Sequence, residues 1–324
     1  MVLRFSLFDQ KVMSQTHVPG QLEAERPVSF EQRLRGPKVE AIGETNAACN
    51  KPDTGPASPK RWIGIAMDSE FSLVVISFPD SARRDRIRAS LEPLSIPWTF
   101  FDARREPRDH LPPYNNMESV RFWGRGLSKS EIGCAASHID ILTELAKSQQ
   151  EKWLLVIEED VALDPGFDYR TLVELCKISG IGYLRLYARH LARSRHVTWL
   201  GQRELIRFKK APMGTQAYLI SSRKARSFVR AVRTISRPID WEMDRFWANG
   251  LYNYALFPFP CLELASGSSV KKQAEFDTGP SAYDRVVWFI WKSKEALRRF
   301  LANMYLRYRD AEVRRTFKER QLEF

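Results

Sequence analysis

The chain has 324 residues, 44% of them hydrophobic and nine of them Trp, which argues against a disordered chain and allows one large domain or two smaller ones. Lys and Arg outnumber Asp and Glu by 51 to 39, so an anionic partner is expected (a nucleotide, a phosphosugar, a nucleic acid or an anionic membrane), and charge alone does not choose among them. Cys49, Cys134, Cys176 and Cys261 form no Cys-x-x-Cys pair, which argues against a zinc ribbon or disulfide framework. No run of about 18 apolar residues offers an ordinary transmembrane helix.

Residues 1–68 are polar, rich in Pro, Gly, Asn and Lys, and without a sustained period. They read as a disordered N-terminal extension, and the opening Met1-Val-Leu-Arg lacks the apolar length of a secretory signal. The expected location is therefore cytoplasmic. Order is expected to begin near Phe71. Phe71–Phe78 reads as a strand turned by Pro79-Asp80, 82–94 as a helix, and 96–101 as a second strand ending at Asp102. This is a β-α-β unit of a parallel sheet. Ser128-Lys-Ser-Glu131 has the form of a capping box and opens a helix with apolar Ile132, Ala135, Ile139, Leu142, Leu145 and Ala146. Gly133, Ala135 and Ala136 let that helix approach another backbone closely. Strands follow at 183–187 and 217–220, a helix at 222–234, and a long helix at 283–318 with Trp291–Lys294 as its candidate break.

Leu154–Asp164 carries the strongest chemical signal. Four apolar residues, expected in a strand buried on both faces, run into Glu158-Glu159-Asp160. Carboxylates at a strand's carboxyl end lie where open α/β sheets bind ligands. Three adjacent carboxylates suit Mg²⁺ or Mn²⁺, and a solvated acidic turn is the competing reading. Ser77 with the arginines after it fits an anion site or a solvated basic helix face. Asp102 fits a ribose contact or a plain turn. His138 reads as a binding or structural group, not a base. In Asp240-Trp-Glu242-Met-Asp244, Asp240 and Asp244 share a helix face. That run is either a site for an acceptor base beside a sugar-stacking Trp or an acidic helix start.

Taken in order, Val74–Ser77 with Asp85-Arg86, Phe101–Ala103, Leu127–His138, Val156–Val161, Gly214–Ser221 and Ile239-Asp240 resemble glycosyltransferase family 25, the lipooligosaccharide β-galactosyltransferases and their relatives. The resemblance spans roughly residues 71–270. It implies an α/β fold: a GT-A-like, Rossmann-type mixed sheet flanked by helices over 69–275, with 276–324 as a basic amphipathic helical tail. It implies an inverting, metal-dependent enzyme that moves a sugar, usually galactose, from a UDP-sugar to a cell-surface glycan or glycolipid such as bacterial lipopolysaccharide. The cofactor would be Mn²⁺ or Mg²⁺. Asp160 is then the expected direct metal ligand, with Glu159 beside it. Ser77, Arg86, Asp102, Glu131, His138 and Glu158 are the candidates for the nucleotide-sugar site. Asp240 is the first candidate for the base, followed by Glu242 and Asp244. Glu159 departs from the Asp usual in relatives, and Ser130 from the usual Gly. The alternative is a catalytically inactive nucleotide-sugar-binding scaffold. Nucleic acid is not an expected partner, because no recognised binding motif is present.

In the tail, Val286, Val287, Ile290, Leu297, Leu301, Met304 and Tyr308 recur at helical spacing among basic residues. This pattern fits either peripheral docking on an anionic membrane, such as the inner face of the cytoplasmic membrane, or packing on the catalytic domain.

Overall fold

The computed structural model describes residues 69–264 and 282–319. The expectation for 1–68, and the parts of the expected domain and tail that fall in 265–281 and 320–324, therefore lie outside the described residues. In chain order the elements are β1 (Phe71–Ser77), α1 (Arg84–Leu91), β2 (Trp98–Asp102), α2 (Asn116–Trp123), α3 (Lys129–Ala146), β3 (Trp153–Glu158), β4 (Val161–Leu163), α4 (Tyr169–Ser179) and β5 (Tyr183–Arg185). Then come β6 (Ser194–Leu200), β7 (Arg203–Phe208), β8 (Ala217–Ser221), α5 (Ser222–Ala231), α6 (Ile239–Met243), α7 (Phe246–Asn249), β9 (Tyr254–Phe257), β10 (Cys261–Glu263) and α8 (Ala282–Glu319).

Eight strands form one mixed sheet in the order β2-β1-β3-β8-β5-β9-β7-β6, and β10 pairs with β4 in a small second sheet. β1 runs parallel to both β2 and β3. β8 runs antiparallel to β3 and to β5. The carboxyl ends of β1, β2, β3 and β5 therefore meet the amino end of β8 along one edge. Period-2 alternation sorts β1 and β3 onto two cores. Leu73, Val75, Leu155 and Ile157 join the cluster under α4, and Val74, Ile76, Leu154 and Val156 join the cluster under α3 and α5. Burial on both faces explains the unbroken apolar runs of both strands.

α3 starts where the sequence predicts. Ser128 accepts from the Glu131 N–H, and Glu131 accepts from the Ser128 N–H. A Cβ on Gly133 would come within 2.4 Å of the Arg104 carbonyl, so only glycine allows this approach. Ser137 cements it by accepting from the Arg104 N–H at 2.7 Å.

α8 is one continuous helix of 38 residues. The expected break near Trp291–Lys294 does not occur, because that stretch holds neither Gly nor Pro to interrupt the backbone ladder. Among the described residues, no helix is long and apolar enough to cross a membrane. α8 docks through Leu306, Asp310, Val313 and Phe317, all buried. The Arg207 guanidinium donates to both Asp310 oxygens, at 2.7 and 3.0 Å, and Tyr254 donates to the same carboxylate. Nearer the start of α8, Glu295 accepts from Arg245 and from the Trp247 indole.

Candidate functional site

The site is built at the edge where the strand ends meet. Register places Ser77 beside Asp102 and Ile76 beside Glu158. Glu158 closes β3, and Glu159 and Asp160 occupy the turn into β4. Across the sheet, the loop Met213–Gln216 leads into β8, and the Glu158 N–H donates to the Gln216 carbonyl at 2.9 Å.

The three acids of the triplet have different surroundings. Glu159 is already paired: Ser77 donates to it at 2.6 Å, and Arg83 lies 3.3 Å away. Glu158 accepts from the Thr215 hydroxyl at 2.8 Å, and His138 Nε2 lies 3.4 Å from the same oxygen. Burial works to raise the Glu158 carboxyl, but His138, Thr215 and Arg189 outweigh it and hold the group below its ordinary range. Asp160 differs: its Oδ1 is buried with no hydrogen-bond partner. Burial, followed by repulsion from Glu158 and Glu263, pushes its carboxyl up to about 6. Glu263 arrives through the β4–β10 pair, in register with Val161. Its carboxylate accepts from the Tyr187 hydroxyl.

The Cys134 thiol shows that these charges converge. It is driven well above the ordinary thiol range by desolvation first, then by Glu158, Asp240, Asp160 and Glu131. Cys134 lies one helical turn before His138, and the two with Glu158 form a compact group of donor atoms.

Asp240 borders the same space. Its carboxylate accepts from the Gly214 N–H at 3.3 Å and from the Trp241 N–H at 2.8 Å. Asp244, one turn on, accepts from the Met213 N–H at 2.8 Å and from Arg185 at 2.6 Å. The shared face expected of these two acids is therefore the one that grips the 213–214 loop. That loop needs gripping: Met213 has φ 59°, in the left-handed region, and Gly214 has φ 85°. Arg185 donates to both their carbonyls.

The remaining sequence candidates sit as follows. Glu242 is buried between Arg237, at 2.6 Å, and Arg245, at 2.9 Å. With Asp244 closed into its Arg185 pair, Asp240 is the carboxylate of this segment whose bonds come from main-chain N–H groups alone. Trp241 packs edge-on against Trp123 at 5.1 Å. Glu131 is held by Arg125 through two bonds, at 2.6 and 2.8 Å, besides its capping role. His138 is fully buried and pairs with the Tyr218 hydroxyl at 2.9 Å. Arg86 lies on the exposed side of α1, and Arg84 takes the place the sequence suggested for it. Arg84 donates to Asp102 at 2.5 Å and to the Ser77 carbonyl at 3.0 Å.

Sequence reasoning missed Glu263 as a residue of this site, and gave Thr215, Tyr187, Arg83 and Arg189 no individual role in it. Glu263 stands more than a hundred residues from Asp160 in a three-residue strand, and no local pattern marks it. Arg83 and Arg84 belong to the basic run after Ser77 that the sequence offers as an anion site.

The donor set fits a hard divalent cation. Asp160 offers one buried, unpartnered carboxylate oxygen that feels repulsion from Glu158 and Glu263, which a cation would relieve. Among the described residues, the donor atoms gathered closely enough to share one ion are those of Cys134, His138 and Glu158 and of His110, Asp140 and Glu144. Glu159 fits less well, because its two oxygens already serve Ser77 and Arg83.

A family model described as glycosyltransferase family 25 (LPS biosynthesis protein) matches residues 71–243. Over 149 residues the chain is 30% identical to a Homo sapiens protein named inactive glycosyltransferase 25 family member 3. That match covers 43% of the chain, which spans only 22% of the human protein. A solved glycosyltransferase involved in glycosylation of the major capsid of PBCV-1 aligns over 46% of this chain and 58% of its own, with a TM-score of 0.25 and 11% identity.

Proposed function

The chain belongs to glycosyltransferase family 25, and from that premise we propose that it is a divalent-metal-dependent enzyme transferring a sugar from a UDP-sugar to a glycan or glycolipid hydroxyl. The observation that supports this reading best is the buried, unpartnered oxygen of Asp160 among Glu158 and Glu263. Asp160 would hold Mn²⁺ or Mg²⁺, with Glu158 and Glu263 adding negative charge near it. The bound cation would neutralise charge on the departing diphosphate. Arg83, Arg84 and Arg189 add positive charge at the same strand ends, and galactose is the donor sugar we propose. The fold reading that goes with it is GT-A-like.

In this reading Asp240 takes the proton of the acceptor hydroxyl as that oxygen bonds to the anomeric carbon. The bond from the anomeric carbon to the diphosphate breaks, and the anomeric configuration inverts. The Gly214 and Trp241 N–H groups fix the position of the Asp240 carboxylate.

The human relative, named as inactive, favours a second reading, a catalytically inactive sugar-nucleotide-binding protein. Release of UDP from a panel of UDP-sugars with Mn²⁺ separates the two. The enzyme reading expects release with at least one donor and its loss in Asp160→Ala. Binding of UDP-sugars with no release from any of them would favour the inactive protein.

A further inference from the structure

α8 carries a second apolar face. Of the large hydrophobic side chains exposed among the described residues, most belong to this one helix. Val286, Ile290, Leu297, Leu301, Met304 and Tyr308 follow one another at intervals of four, seven, four, three and four, which is one stripe of a straight helix. The docked residues Glu295, Leu306, Asp310, Val313 and Phe317 lie half a turn away, on the opposite side. The helix thus fastens to the domain by one face and presents a second apolar face outward, with Leu297 59% and Tyr308 79% exposed.

Charge identifies the occupant. α8 holds ten Lys and Arg against five Asp and Glu. Two of those five acids, Glu295 and Asp310, are turned inward and paired with Arg245 and Arg207. Lys294 and Arg298 flank the stripe on one side and Arg307 on the other, all three exposed. A second copy of this helix would bring two cationic rims together. An anionic lipid surface instead takes up the apolar side chains and the cations together. Tyr305 is exposed beside the stripe, and such a residue suits the headgroup level. We infer that α8 is the membrane-docking element of this protein and lays its Val286–Tyr308 stripe into the interface of an anionic leaflet. The inference does not depend on the catalytic reading.

The test is co-sedimentation of the full chain with vesicles of phosphatidylcholine alone and with 30 to about 40% phosphatidylglycerol, a composition chosen to exceed the threshold for polybasic binding. Binding should appear with the anionic vesicles and weaken in high salt. It should fall at least about tenfold both in Leu297→Ser/Leu301→Ser/Met304→Ser and in Lys294→Glu/Arg298→Glu/Arg307→Glu. These side chains are exposed, so unchanged circular dichroism will show that the fold survives. Equal binding to both vesicle types, or binding indifferent to either triple variant, would overturn the inference. So would a failure to bind vesicles combined with a concentration-dependent dimer, seen by sedimentation velocity, that the serine variant dissociates. That outcome would give the stripe to a second copy.

Discussion

Thr215 donates its hydroxyl to Glu158 at 2.8 Å, tying the start of β8 to the acidic end of β3. The residues just before Thr215 are tied to acids as well, Gly214 to Asp240 and Met213 to Asp244. One short loop therefore sets the spacing between the proposed metal-binding carboxylates and the proposed base. Thr215→Val removes a charge-assisted bond and should cost about 1.5–3 kcal/mol in chemical denaturation. Its turnover should also fall, because Glu158 then rests on the longer His138 contact.

Gly214→Ala should be worse than its size suggests. The position has φ 85°, and a Cβ there would lie 2.6 Å from Gln216 Oε1 and 3.0 Å from the Tyr187 ring. Backbone strain of roughly 1–3 kcal/mol is expected, with the clash added to it. A Tm unchanged from wild type would show that the loop adjusts freely.

Asp160 gives a stability signature in chelated protein. Its carboxyl is raised from 3.8 to about 6, so between those values the folded chain holds more protons at this residue than the unfolded chain. Its contribution to stability accordingly falls as pH rises through that window. Asp160→Asn should be more stable than wild type at pH 7 in EDTA, by about 2–4 °C in Tm once solvent screening is allowed for. The gain should vanish near pH 4.

Asp240→Asn and Glu242→Gln should separate chemistry from structure. The first should lower kcat by about 10²–10⁴ with little change in Tm. The second disturbs a buried carboxylate held by Arg237 and Arg245, and should lower Tm while sparing most of the turnover. Equal kcat losses at equal stability would remove Asp240 from its proposed role.

Asp310→Ala leaves Arg207 buried and unpaired beneath α8, and should cost about 3–5 kcal/mol.

The sequence revealed the parts of this architecture whose signal is local. The capping box at Ser128 and the doubly buried β1 and β3 were readable from spacing alone, because period and cap chemistry act within a few residues. The acidic turn after β3 was readable for the same reason. The β6–β7 hairpin and α4 were missed: β6 is half exposed and mixes Ser, Arg, His and Thr with its apolar residues, so its alternation is diluted. Glu263 was invisible because a three-residue strand carries no period. The sequence singled out Asp160 and set Glu159 apart, but the physical reason came only with the fold: Ser77, 82 residues away on β1, and Arg83, at the start of α1, satisfy Glu159. The outward stripe on α8 was legible as apolar, but its direction was not. Its buried contacts, the Arg207–Asp310 pair among them, show which face is inward.

The central claim is that Asp160 organises a cation for a sugar nucleotide's diphosphate, and calorimetric titration of UDP into the full chain tests it most directly. UDP should bind at least about tenfold more tightly with Mn²⁺ than in EDTA, and Asp160→Asn should bind UDP equally in both. Equal UDP affinity with and without Mn²⁺ in the wild type would contradict the account.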